Sequence, residues 1–383
     1  MVLDYDYIIC GGGASGLFLA ENLSLDPYFA KKKILIIDPD SPKKLNDRTW
    51  CFWEKKNHQR EYSIFYSWDK VLFKSDQFEK SISLSPLSYK MLKSKNFYEK
   101  SNKVIKSNSN ISFLNEEVLK VDDLSTHCET KTSEKTYTSS KVFNSILEWE
   151  KLHNNTKYPL LIQHFEGWFI KTEKDFFNKD EATFMDFSIE QNSCTKFMYI
   201  LPFSKREALI EYTLFSKELL DKKGYESFLK NYLNKIGISD YEVLSKESGK
   251  IPMTGYPFYK KNSKNIIYIG SAGGWSKPST GYTYKNIERK TKLLINFLKM
   301  NSDLRSFHKN SRFRYYDIIF LDVLYQNNHM GKKLFTQMFK HNNAKTIFKF
   351  LDEKSNIFEE LKIMSSFSIG VFINTIFKRF LKL

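Results

Sequence analysis

Apolar residues recur along this chain with two different periods. Tyr5 to Cys10 is a short, β-favouring and largely apolar run, the pattern of a strand buried in a parallel sheet. Leu17, Leu19, Ala20 and Leu23 then recur at helical spacing, and Ile34-Leu35-Ile36-Ile37 makes a second buried strand that ends in Asp38. The middle of the chain reads differently. Ser125 to Ser140, rich in Ser, Thr, Lys and Glu, predicts an exposed hairpin or loop, and Lys141 to Leu147 resumes a strand. Leu160 to Phe165 and Trp168 to Ile170 predict two strands joined at Glu166-Gly167, and Phe197 to Leu201 with Ala208 to Phe215 an antiparallel pair. Asn265 to Gly270 is another buried strand ending in glycine. Ser271-Ala272-Gly273-Gly274 follows, and Pro278-Ser279-Thr280-Gly281-Tyr282 opens a helix running to about Met300. From Asp303 the pattern is helical.

Between the first strand and the first helix stands Gly11-Gly12-Gly13-Ala14-Ser15-Gly16. It fits G-x-G-x-x-G with strand, helix, second strand and a closing acid all in place, which is the full dinucleotide-binding context. Gly11 permits the tight turn, Gly13 lets backbone approach a pyrophosphate, and Gly16 lets helix pack on strand. The helix N-terminus presents N–H groups to the phosphates, and Asp38 accepts from a ribose hydroxyl. This fingerprint does not separate FAD from NAD. The later strand–glycine–helix unit does, because a flavoprotein uses such a unit to hold the ribityl and ring end of FAD. Its helix N-terminus favours negative charge on a reduced flavin. Gly270, Gly273, Gly274, Ser279, Thr280 and Gly281 are therefore cofactor-binding candidates beside Gly11, Gly13, Gly16 and Asp38.

Composition narrows the partners. A chain of 383 residues predicts about two domains. Lys and Arg number 60 against 44 Asp and Glu, a net charge of +16 that suits an anionic surface. The cations are mostly lysine, and no basic stripe interleaves with aromatics, so nucleic acid is not expected. The four cysteines are scattered and the seven histidines lack ligand spacing, so neither a disulfide framework nor a metal is expected. No apolar run reaches the roughly 20 residues of a spanning helix. The first residues show no basic and apolar leader, which predicts a cytoplasmic protein. Asp47-Arg48-Thr49-Trp50-Cys51-Phe52-Trp53-Glu54 sets three large aromatics beside a charged turn. It reads as a core strand edge or as an aromatic wall near the cofactor.

These stretches also resemble a known family, the bacterial FAD-dependent lycopene β-cyclases of carotenoid synthesis. The resemblance runs through Tyr5 to Leu23, Asp47 to Glu54, Gln163-His164-Phe165 with Gly167-Trp168, Met185-Asp186-Phe187 and Phe197 to Phe203. It continues through Glu211-Tyr212-Thr213-Leu214-Phe215-Ser216 and Gly270 to Tyr282. Plant relatives carry two adjacent glutamates where this chain has Glu211-Tyr212, and Ser271 stands where flavoproteins often have Asp. The resemblance implies a Rossmann-type FAD-binding α/β flavoprotein fold with a second, mostly antiparallel-sheet substrate domain and C-terminal helices. The expected division is 1–48, about 100–150 and about 260–300 for FAD, about 49–99 and 151–259 for substrate, and 301–383 helical.

It further implies isomerisation of lycopene, or a related acyclic carotenoid, to β-carotene by acid-catalysed ring closure. Reduced FAD would be a non-redox cofactor, with NAD(P)H serving only to reduce it. Arg48 joins the cofactor candidates. The acid must stay protonated in a dry pocket, and burial raises a carboxyl. Glu211, among Leu209, Ile210, Tyr212, Leu214 and Phe215, fits, with Asp186 as the second catalytic candidate. Trp50, Phe52, Trp53 and Trp168 are candidates to face the carbocation. The other readings are a flavin monooxygenase or prenyl-chain reductase on the same fold, or a membrane-associated flavin- or carotenoid-binding protein without activity. Ile363 to Phe377 is free of charge and followed by Lys378, Arg379 and Lys382, as in an interfacial helix. That predicts a peripheral protein on the inner face of the membrane, or else a last helix that packs on the substrate domain.

Overall fold

The computed structural model describes residues 2–39, 48–55, 63–155 and 157–380; Asp47 of the aromatic motif lies outside them. The strand Tyr5–Cys10 is parallel to Ile34–Ile37 on one side and Thr136–Asn144 on the other. Ile111–Leu114 and Ile266–Tyr268 extend the sheet in parallel, and Val118–Asp123 and Cys128–Thr132 add an antiparallel edge. Ile8, Ile9, Cys10, Ile34 and Ile36 are fully buried, as expected of parallel strands covered on both faces. One cover is the helix Ala14–Leu25, which packs with Ser94–Lys106 and Tyr284–Met300.

A second sheet of seven strands runs in the order Tyr241–Thr254, Leu160–Thr172, Glu207–Ser216, Thr195–Pro202, Glu181–Asp186, Lys70–Ser75 and Phe78–Ser83. All neighbours are antiparallel except Glu181–Asp186 with Lys70–Ser75. Alternation divides its side chains between two faces. Ala208, Ile210, Tyr212 and Leu214 meet the helix Lys222–Lys235 through Tyr225, Leu229 and Tyr232. Leu209 and Phe215 face the opposite core, with Phe197, Tyr199 and Leu201 beside them. That core is closed by the C-terminal helices and by a small sheet of Thr49–Lys55, Leu87–Lys93 and Tyr66–Trp68. On the helix Gly331–His341, Leu334, Phe335, Met338 and Phe339 are buried while Lys333 and Lys340 are exposed. Phe339 stacks on Phe73 at 4.3 Å. Each such ring contributes about 1.5–3 kcal/mol by burial.

Four expectations change. Leu160–Thr172 is one continuous strand, so Glu166-Gly167 is not a turn. The glycine there meets a packing need, described below. The polar stretch 125–140 is a hairpin, exposed at Ser125, Thr126 and 133–136 but buried along one face. Cys128, Thr130, Thr132 and Ser139 are buried, and the second strand already begins at Thr136. The helix after the second glycine loop starts at Tyr284, because Gly281 has φ +70° and holds Pro278 to Tyr282 as a loop. Residues 363–377 are not one helix. Ile357–Ser365 and Ile369–Phe380 meet at a 110° bend, where Ser366 caps the first through Ile363. Among the described residues no single helix is long and apolar enough to cross a membrane.

Candidate active site

The glycine turn has a cradle's geometry. Gly11 has φ +99°, and a Cβ there would collide with Ser145 Oγ; one on Gly16 would collide with the Gly11 carbonyl. Gly13 is the N-cap of Ala14–Leu25, and no side chain caps that terminus, which leaves first-turn N–H groups directed at an anion's position. The Gly12 N–H donates to Asp38 at 2.5 Å, which ties the acid at the end of the second strand to the turn. Gly270, with φ +61°, brings the second glycine loop onto Ser15 of the same helix. The two loops therefore meet at one place.

Further along the second loop, Gly281 sits so close to Gln163 that a Cβ would strike its Oε1. Gln163 Oε1 and Thr280 Oγ1 are both buried without a hydrogen-bond partner. A buried amide oxygen needs a donor, and a hydroxyl can give or accept. The edge of a flavin ring offers both, so these residues fit FAD. The loop is held from behind by a buried ion pair. Lys277 Nζ lies 2.9 Å from Asp317 Oδ2, and Ser279 Oγ donates to Asp317 Oδ1 at 2.6 Å. Burial raises the Asp317 carboxyl, opposed by Lys277. Arg48 lies in a groove of about 860 Å³, with Lys93, Glu247 and Lys250 among its lining residues. Its backbone is paired with Ser94.

Glu211 points from the sheet face that carries Leu209 and Thr213. The Thr213 hydroxyl donates to Glu211 Oε1 at 2.7 Å. Burial nevertheless pushes the Glu211 carboxyl up to about 7, against the lowering by Thr213. The residue as a whole is half-buried, and its carboxyl is the enclosed end. Cys51 and Tyr199 stand beside it, and Tyr89 and Tyr282 stand beside those two. Burial first, then Glu211, holds the Cys51 thiol well above its ordinary range, and burial raises all three phenols. All four therefore stay neutral. Trp53 meets Tyr282 edge-on at 4.9 Å.

The other expected residues do not converge here. On Thr49–Lys55, Trp50 and Phe52 point opposite to Cys51 and Trp53, and stack on Tyr284 at 5.2 and 4.8 Å within the nucleotide-binding layer. Trp168 sits on the far face of the large sheet, its indole donating to Glu166 Oε1 at 2.8 Å. Asp186 is on that face too. It accepts from Tyr232 OH at 2.9 Å and from the Ser188 N–H at 2.7 Å, so its carboxyl is committed to structure. In each case strand alternation, not residue type, decides. Among the groups sequence reading passed over, Tyr89, Tyr199 and Gln163 join the site. Their signal was parity: each lies on a strand position whose alternate neighbours face the same core.

Comparison with known proteins places the chain. A family model described as "Lycopene cyclase protein" matches residues 6–376. The comparison with curated proteins finds no match. Among solved structures, a geranylgeranyl bacteriochlorophyll reductase-like protein from Thermoplasma acidophilum is similar over 97% of this chain and 95% of its own, at 10% identity and TM-score 0.57. Halogenase PltM, in complex with phloroglucinol and FAD, is similar over 90% and 78%, at 10% identity and TM-score 0.56. The flavin-dependent brominase Bmp2 is similar over 99% and 100%, at 12% identity and TM-score 0.56. At these identities the likeness is one of fold, that of the FAD-binding flavoproteins.

Proposed function

Because the chain belongs to the lycopene cyclase family, we propose that it closes an acyclic end of lycopene, or of a related carotenoid, into a β-ring by proton chemistry. The observation that carries this reading is Glu211, an enclosed carboxyl pushed up to about 7 on a sheet face walled by neutral aromatic groups. An alkene is a very weak base, so its acid must keep its proton near neutral pH and be shielded from water. Glu211 meets both needs. Its proton goes to the terminal alkene, and the inner alkene closes on the resulting tertiary cation. The rings of Trp53 and Tyr282 would face that cation, each contributing about 0.5–2 kcal/mol. The Cys51 thiol stays protonated and so does not trap it as a thiolate would.

FAD is the proposed resident cofactor, held by Gly11, Gly13, Gly16 and Asp38 at its phosphate and ribose end and by Gln163 and Thr280 at its ring. When bound and reduced, by NAD(P)H, it would supply negative charge beside the cation. A flavin monooxygenase or prenyl-chain reductase would share this fold but consume reductant. The deciding experiment is an anaerobic assay with dithionite-reduced protein. Lycopene converted without change of mass, and with no stoichiometric NAD(P)H oxidation, supports the cyclase; one reductant consumed per product overturns it.

The substrate lives in the bilayer, so a peripheral membrane position on the cytoplasmic face belongs to the same proposal. It draws support from the bent C-terminal helix pair, where Phe358 is 79% and Phe377 64% exposed, with Leu361 and Ile373 also outward.

A further inference from the structure

A second carboxyl shares the sheet face with Glu211. In the register of the large sheet, Gly167 is opposite Glu211 on one side and Glu247 on the other. The three residues therefore form a row across adjacent strands, all on one face. The row is tight. A Cβ built on Gly167 would lie 3.5 Å from Glu211 Cβ, 3.3 Å from Glu247 Cγ and 2.8 Å from Leu209 Cδ1. Glycine is what lets the two carboxyl stems lean over one floor. Glu247 is 6% exposed, and the Thr49 hydroxyl donates to its Oε2 at 2.8 Å. The Cys51 thiol feels both carboxyls.

We propose that Glu247 is the proton acceptor that ends ring closure and thereby decides where the ring double bond forms. This rests on the cyclase reading above. The balance is closed. The Glu211 O–H bond breaks and a C–H bond forms at the terminal alkene. The inner alkene's electron pair forms the ring C–C bond and leaves a cation on the adjacent ring carbon. A neighbouring C–H bond then breaks, its electron pair becomes the ring C=C, and the proton goes to Glu247. After the product leaves, Glu247 gives that proton to solvent and Glu211 takes one up from solvent, which restores the starting state with no electron gained or lost. Three kinds of carbon adjoin the ring cation, each with a hydrogen to lose, so the product depends on where the base stands. Among the described residues, the other ionisable groups placed in this cluster are a thiol and three phenols, which are poor acceptors while protonated. Glu247 offers a carboxyl oxygen that already accepts from the Thr49 hydroxyl, and it is fixed to a strand. A fixed base selects one hydrogen, where loss to a wandering base would give a mixture.

The test uses full-length, flavin-loaded, reduced protein with lycopene in D2O, comparing wild type, Glu247→Gln and Glu247→Asp. Flavin content checks that each variant is intact. Wild type should place one deuterium in each β-ring and leave recovered lycopene nearly unlabelled. Glu247→Gln should lower β-ring formation by about 100-fold. It should also give deuterium in the recovered lycopene, or rings with the double bond on a neighbouring carbon, because protonation still occurs while proton loss is slowed or misdirected. Glu247→Asp should restore part of the β-product. Glu247→Gln that makes the wild-type product at the wild-type rate overturns the proposal. So does a variant that forms neither product nor labelled lycopene, since that is the mark of a structural role. A wild type that forms no ring at all would instead sink the cyclase reading, and the two failures are told apart in one experiment.

Discussion

The turn from Gly11 to Gly16 is made by residues that follow one another in the chain, whereas the cluster around Glu211 draws Cys51, Tyr89, Gly167, Tyr199, Glu247 and Tyr282 from separate segments. In the first region backbone does the work: positive φ, close approach and an uncapped helix end. In the second, side chains do it, and their meeting depends on which face of a strand each one takes. A backbone site tolerates surface change but not a Cβ in the wrong place. A side-chain site tolerates drift in composition but not a one-residue change of register.

The sharpest way to separate the two regions is Gly13→Val. Gly13 has extended backbone, φ −76° and ψ −172°, which valine adopts without strain. The fold should therefore persist while the branched side chain blocks the approach to a pyrophosphate. Nearly complete loss of copurifying flavin is expected, with unchanged circular dichroism; full flavin content would show that the turn does not hold it. Next in size is Glu211→Gln, which preserves shape and removes the proton. Ring formation should fall about 100-fold or more while flavin stays bound. Near wild-type turnover would remove Glu211 from the chemistry.

The pH profile is a gentler probe of the same contrast. With the Glu211 carboxyl pushed up to about 7, its proton is present below that pH and lost above it. Activity should therefore hold below about pH 7 and decline by about tenfold per unit above it. Stability should follow the same group. The folded chain keeps a proton that the unfolded chain gives up in the ordinary glutamate range, so wild type should lose stability as pH rises from that range to about 7. Glu211→Gln should lack that slope in thermal melts taken across the window. The smallest expected effect is Trp168→Phe. Lying across the sheet from Glu211, it should change turnover by no more than about twofold, while costing about 1 kcal/mol through the lost indole bond to Glu166. A large fall in turnover would mean that the two sheet faces are coupled.

By itself the sequence determined the nucleotide-binding layer, because G-x-G-x-x-G, the flanking apolar strands and Asp38 interact over short range and each needs a particular backbone. It also marked Glu211 as a carboxyl with apolar neighbours, since those neighbours are adjacent in the chain. Only the tertiary structure decided that Trp53 but not Trp50 or Phe52 joins the core on Glu211's side of the sheet, and that Trp168 and Asp186 turn away from it. Only the tertiary structure turned Gly167 from an apparent turn into the floor between Glu211 and Glu247. The reason is physical. A strand exposes opposite faces at successive residues, and which face meets which neighbour is set by pairing between segments tens of residues apart, information that no local pattern carries.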